Sequence, residues 1–91
     1  MINKCFYIVV GLIIGLILLP SLAQASCSSL WYERNGIYKN AGYCFKTSRA
    51  IRAFGNAGCS FDNINDLPLS TRQHAILRDI VAQERRMGCD N

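Results

Sequence analysis

Four cysteines, Cys27, Cys44, Cys59 and Cys89, fall in the short stretch behind an apolar leader, and they limit the fold more than any other feature. The leader has the three parts of a secretory signal peptide: Lys4 supplies positive charge, Phe6 to Leu19 is apolar, and Ala23-Gln24-Ala25 follows Pro20. Its apolar run is 14 residues long, shorter than the ~20 residues a helix needs to cross a bilayer. Residues 1–25 are therefore expected to be cleaved, leaving residues 26–91 as one exported domain, periplasmic or secreted. Attachment of lipid at Cys27 fits less well, because Gln24 stands where a Leu-like residue is expected. Cys5 leaves with the leader, turning an odd count of five into an even four.

An even set in an exported chain points to two disulfides. A zinc site would need paired ligands a few residues apart, whereas the gaps are 17, 15 and 30 residues and His74 is the chain's one histidine. Disulfides also answer a size problem, since a domain of about 60 residues buries only ~60% of its unfolded surface and is marginal without staples. A calcium loop starting at Asp62 fails at its second ligand position, which is Ile64, and no glutamate follows at the required spacing. No metal or other cofactor is expected.

Charge is unevenly spread. From Arg34 to Phe61 the chain holds five basic residues (Arg34, Lys39, Lys46, Arg49, Arg52) and no acid, while Asp62, Asp66, Asp79, Glu84 and Asp90 come later. A cationic middle third either serves solubility or faces an anion.

Helix signals come next. Ser28 or Ser29 is placed to cap a helix whose face repeats at Leu30, Trp31, Arg34, Ile37, Tyr38 and Ala41, stopped by Gly42 with Tyr43 folding back onto Tyr38 in a Schellman arrangement. Two residues break that stripe. Gly36 costs ~1 kcal/mol against Ala in a helix interior and is expected to admit a closely packed neighbour. Arg34, which keeps its charge, needs acceptors, expected from loop carbonyls, Asp62 or Asp66 in preference to a ligand. Asn35 is expected to anchor a loop.

Thr47 can cap a short helix, Ser48 to Phe54, ended by Gly55, and the following stretch to Pro68 reads as loop. Ser70 and Gln73 form a capping box for the last helix, with Ile76, Leu77, Ile80, Val81, Glu84 and Met87 on one face and Gly88 as its stop. Met87 is expected in the core. Arg72, Arg78, Asp79, Gln83 and Arg86 form a face that needs only solvent, and Arg85 and Arg86 complement the helix dipole.

If the first and last helices pack antiparallel, the start of one meets the end of the other. Of three possible pairings, this favours Cys27–Cys89 enclosing Cys44–Cys59. The expected fold is small and mainly α: two amphipathic helices packed antiparallel, a short middle helix and loops, stapled by two disulfides.

The segment from Leu30 to Phe45, LWYERNGIYKNAGYCF, resembles the signature of the YARHG domain family, small bacterial extracytoplasmic modules. The family pattern runs R-N-x-I-Y, then Y-A-R-H-G, then an aromatic pair around one residue. Arg34, Asn35, Ile37, Tyr38, Gly42, Tyr43 and Phe45 match, and Trp31 belongs to the same segment. Asn40 and Ala41 stand where the family has Arg and His, so no role of that pair is carried over. The resemblance implies a fold and a cell-envelope setting.

Three functional classes follow. The first is a non-catalytic binding module for an envelope component such as peptidoglycan, with Lys46, Arg49 and Arg52 facing carboxylates and Tyr32 or Tyr43 stacking on sugars. The second is a protein-binding module, for instance an inhibitor of a secreted or periplasmic hydrolase. Enzyme activity is not expected, because no Ser or Cys has a recognisable base partner and cysteines in disulfides are not nucleophiles. Nucleic acid is not expected as a partner of an exported chain, membrane contact would come only through an uncleaved signal, and the chain is expected to be a monomer.

Overall fold

The structure, a computed structural model, describes residues 26–90; the leader with its expected cleavage site, Cys5 and Asn91 lie outside the described residues. Helix α1 (Cys27–Asn40) is followed by the short α2 (Ser48–Phe54), a single 3-10 turn at Ile64–Asp66, and α3 (Thr71–Arg86). None of the described helices is long and apolar enough to cross a membrane.

α1 starts earlier than its sequence suggests. The cap is Ser26, not Ser28 or Ser29: its Oγ accepts the Ser29 N–H at 3.1 Å, and Ser29 Oγ accepts the Ser26 N–H at 3.0 Å. This reciprocal capping box satisfies two donors that a helix start would otherwise leave open, and it makes Cys27 the first helical residue. At the other end the Tyr43 N–H donates to Tyr38 O at 3.0 Å and the Gly42 N–H to Lys39 O at 3.1 Å. Those are the two bonds of a Schellman motif. Gly42 takes φ +96°, a conformation side chains rarely adopt, and the Tyr38 and Tyr43 rings meet edge-on at 6.0 Å.

α3 uses the same two devices. Ser70 Oγ accepts the Gln73 N–H at 3.1 Å and Gln73 Oε1 accepts the Ser70 N–H at 2.8 Å. Its exit is a second Schellman motif, with the Cys89 N–H donating to Glu84 O at 2.8 Å and the Gly88 N–H to Arg85 O at 3.1 Å. The last residue of this terminator is itself a cysteine. It is delivered to the first turn of α1, where Cys27 and Cys89 are bonded with their Cα atoms 5.5 Å apart. Cys44 and Cys59 form the inner bridge, Cα to Cα 5.1 Å. The nested pairing holds, and with it the antiparallel packing of α1 against α3.

The core collects one face from each helix. Leu30 and Trp31 come from the first turn of α1 and Tyr38 from its last, Ala50 from α2, Leu77 and Ile80 from α3, and Phe45 and Leu67 from the loops. Fully burying a side chain such as Leu30 or Ile80, each 3% exposed, contributes about 1.5–3 kcal/mol. Met87 is not part of this core. It sits at the α3 cap with 47% of its surface exposed, because the helix turns away into its terminator at that point.

Three further expectations for α1 are corrected. Arg34 reaches neither Asp62 nor Asp66; its Nε and Nη2 donate to Glu84 Oε1 and Oε2 at 3.0 and 3.1 Å. The partner was placed on the apolar stripe of α3, where a buried acid now has a reason to be. Asn35 anchors no loop: its Nδ2 donates to Trp31 O at 2.9 Å within α1. Gly36 admits no neighbour, for a Cβ built there would meet nothing within 4 Å.

The loops between α1 and α3 are held by individual contacts. Gly42 O accepts the N–H groups of Ser60 and Phe61, the Cys44 N–H donates to Phe61 O at 2.8 Å, and Tyr43 pairs with Phe61 as an isolated parallel bridge. Asn56 clasps the buried Phe45 on both sides, its Oδ1 accepting the Phe45 N–H at 2.7 Å and its Nδ2 donating to Phe45 O at 3.0 Å. A side-chain amide thus supplies what a neighbouring strand would. Among the described residues no fully buried side-chain polar atom lacks a partner.

Candidate functional site

The residues singled out for ligand contact do not converge on one spot. Lys46 Nζ donates to Asp62 Oδ1 at 2.9 Å, a pair exposed on both sides. Tyr43 is partly buried against the core and makes T-shaped contacts with Tyr38 and Phe45, so its ring is engaged in packing. Arg49 lies over Trp31 with its guanidinium carbon 3.8 Å from the ring centroid, a cation–π contact that also covers the indole.

Tyr32 is the open aromatic, 52% exposed, and rests its ring 5.3 Å from Trp31 and 5.4 Å from Phe54. Arg49 and Tyr32 therefore flank the same Trp31 ring. Arg52 is exposed on α2 beside the exposed Ile51. This face is built from the junction of α1 with α2.

A concave surface lies on another side of α1. A groove of about 420 Å³ opens between the second half of α1, the 3-10 turn and α3, within the range of small-ligand clefts. Buried Tyr38 and Leu77 make its base, with Val81 beside them. Ile64 and Asn65 of the 3-10 turn form one wall, Ile64 with 39% of its surface exposed.

His74, Arg78 and Arg85 come from α3. Spacings of four and seven residues place these three on one stripe of the helix with Val81 between the arginines. A second hollow of about 270 Å³ continues the groove past Arg34, Glu84 and Cys89, sharing Tyr38, Val81 and Arg85.

The electrostatics of this groove are one-sided. Glu84 is the acid that borders it, and both its oxygens are engaged by Arg34. Arg78 and Arg85 have no ion-pair partner among the described residues. Exposed arginines beside an apolar floor present planar donor forks suited to carboxylate. Arg78, expected to need only solvent, and Arg85, expected to complement the helix dipole, are both exposed and both line the groove. The pattern was present in the chain as His74, Arg78, Val81 and Arg85. It lies just off the apolar stripe and is completed by Ile64 and Asn65 from a loop without periodicity.

No group of three or more His, Cys, Asp and Glu among the described residues is arranged to hold a metal ion.

The signature segment has a structural use throughout. Trp31, Tyr38 and Phe45 are core, Ile37 packs against it, and Arg34 and Asn35 make internal bonds. Gly42 and Tyr43 terminate the helix. Tyr38 also lines the groove, and Arg34 the hollow that continues it. No curated protein and no solved structure matched the chain. The YARHG domain profile matches residues 8–85 of the 91, and the chain belongs to the YARHG domain family, whose modules are extracytoplasmic.

Proposed function

We propose that the protein is an exported, non-catalytic binding module of the bacterial cell envelope that takes up an anionic wall component, peptidoglycan foremost. The observation that carries this is the groove along α3, where the unpaired Arg78 and Arg85 stand over an apolar base. Export is supported by the two disulfides, which persist in oxidising compartments. A binding role is supported by the chemistry present: the four described cysteines are all bridged, so none is a nucleophile.

The test is co-sedimentation of the disulfide-bonded protein with purified cell-wall sacculi. Pelleting is expected at low salt, declining as salt screens the contacts, and lost in the Arg78→Glu/Arg85→Glu double variant. Failure to pellet at low salt sinks the proposal.

A second reading has its own observation. Tyr32 and Ile51 are exposed apolar residues on the α1–α2 face beside Arg49 and Arg52, a composition that suits a protein partner such as a secreted or periplasmic hydrolase. A discrete partner captured by the wild-type protein but not by Tyr32→Ala, from an extract in which sacculi are not bound, would favour that reading.

A further inference from the structure

We infer that the groove takes a short extended peptide bearing two carboxylates about three residues apart, one on Arg78 and one on Arg85, with apolar side chains between them over Val81. The inference rests on the proposed binding role and names its ligand class.

The spacing carries it. Arg78 and Arg85 are seven residues apart on a continuous helix. At 1.5 Å per residue that is ~10 Å along the axis, and seven residues fall only ~20° short of two full turns, so both project from the same side. A peptide in the polyproline II conformation advances 3.1 Å per residue and repeats every three residues. Its positions i and i+3 therefore share a side and lie ~9 Å apart, close to the rise between residues 78 and 85 along the helix.

Between the arginines the surface is apolar. Val81 lies midway along the same stripe, and the exposed Ile64 stands at the groove's side. The peptide's intervening residues would find hydrocarbon there, and Asn65 offers an amide within the same wall. Two point contacts with an apolar interval distinguish this surface from a diffuse basic patch. A patch responds to total charge; a two-pronged groove responds to where the charges sit.

Charge complementarity decides the occupant. The acid of the adjoining hollow is held by Arg34 through two hydrogen bonds, so it does not neutralise the two free guanidinium groups. A neutral glycan would leave both arginines without acceptors. A polyanion without apolar content would leave Ile64 and Val81 against water.

The experiment compares probes of equal charge. The disulfide-bonded protein is titrated calorimetrically with three N-acetylated, C-amidated peptides: Glu-Val-Ala-Glu, Val-Glu-Glu-Ala and Gln-Val-Ala-Gln. The spaced peptide is expected to bind saturably, the adjacent one about tenfold more weakly, as for one lost charge-assisted contact, and the neutral one not measurably. Arg78→Ala and Arg85→Ala should each weaken the spaced peptide about tenfold, while Arg86→Ala, on the neighbouring position outside the groove, should change it less than about twofold. All three positions are exposed, so the variants should retain the wild-type melting curve.

Equal affinity for the spaced and adjacent peptides, or binding indifferent to Arg78→Ala, overturns the inference. So does absence of binding to all three. Sacculus pelleting separates the two levels: if the wild-type protein pellets and the spacing series is flat, the envelope role stands and this ligand class falls; if neither is seen, both fall.

Discussion

The α1–α3 half of the molecule and the half built around α2 are ordered by different means. In the first, two long helices are started by capping boxes, stopped by Schellman motifs, joined end to end by Cys27–Cys89 and locked by Arg34 from the middle of α1 and Glu84 from the last turn of α3. In the second, a seven-residue helix and irregular loops depend on Cys44–Cys59, the Asn56 clasp on Phe45 and three backbone bonds to residues 60 and 61. Local signals repeated along the chain specify the first half. Single non-repeating contacts specify the second. A line of aromatic rings from Tyr38 through Tyr43, Phe45 and Phe54 to Trp31 joins the two.

Removing each disulfide in turn tests this contrast with the largest effect. The bridges span 62 and 15 residues, for which loop entropy in the unfolded chain amounts to about 4 and about 3 kcal/mol. Urea unfolding of Cys27→Ser/Cys89→Ser and of Cys44→Ser/Cys59→Ser should therefore rank the outer bridge as the more stabilising. The opposite order would mean that the α1–α3 half holds together on its caps and buried pair, while the loop half needs its staple more than chain entropy alone requires.

Next in size are the two half-buried anchors. Arg34→Met removes the guanidinium that donates to both oxygens of the Glu84 carboxylate, whose side chain is 9% exposed, and should cost about 3 kcal/mol. Arg34→Met/Glu84→Met should recover most of that loss, since removing both charges also removes the desolvation they impose. Asn56→Ala leaves the N–H and C=O of the buried Phe45 unsatisfied and should cost about 2 kcal/mol. Chemical denaturation of the three variants checks the order, and a double variant as unstable as Arg34→Met alone would show that the pair's geometry, not its charge balance, is what the helices need.

The same contrast explains what the sequence disclosed. The extent of α2, the Ser70 and Thr47 caps, the Gly42 terminator and the nested bridges all follow from signals within a few residues or from the antiparallel ends. The Arg34–Glu84 pair was half legible. Each residue interrupts an apolar stripe, the two have opposite charge, and the register that joins Cys27 to Cys89 brings position 34 opposite position 84. Reading Glu84 as one more member of a periodic face concealed this.

Ser26 stands three residues before Ser29 just as Ser70 stands before Gln73, so the α1 capping box has the same spacing as the one on α3. The Asn56 clasp and the Ile64–Asn65 wall of the groove had no such signal. Each depends on which loop lies beside which, and nothing periodic in residues 55–68 states it. The cationic segment drew attention by composition, but the structure spends Lys46 on Asp62 and Arg49 on Trp31, while the arginines left facing a concavity are on α3.

The smallest effect has the opposite sign. Gly36 lies within α1, and a Cβ there meets nothing within 4 Å. Gly36→Ala should stabilise the protein by up to about 1 kcal/mol, because Ala loses less backbone freedom in a helix and no neighbour must move. Gly42, six residues on, is the control. It holds φ +96°, and a Cβ would stand 3.3 Å from the Phe61 ring, so Gly42→Ala strains the terminator and presses on the loop that Gly42 O binds. That substitution should destabilise by more than Gly36→Ala gains. Thermal melts of the two variants against wild type give the signs directly. A destabilised Gly36→Ala would show that α1 needs its glycine for something other than space, and the α1–α3 half would then owe less to helix propensity and more to long-range contacts, as the α2 half does.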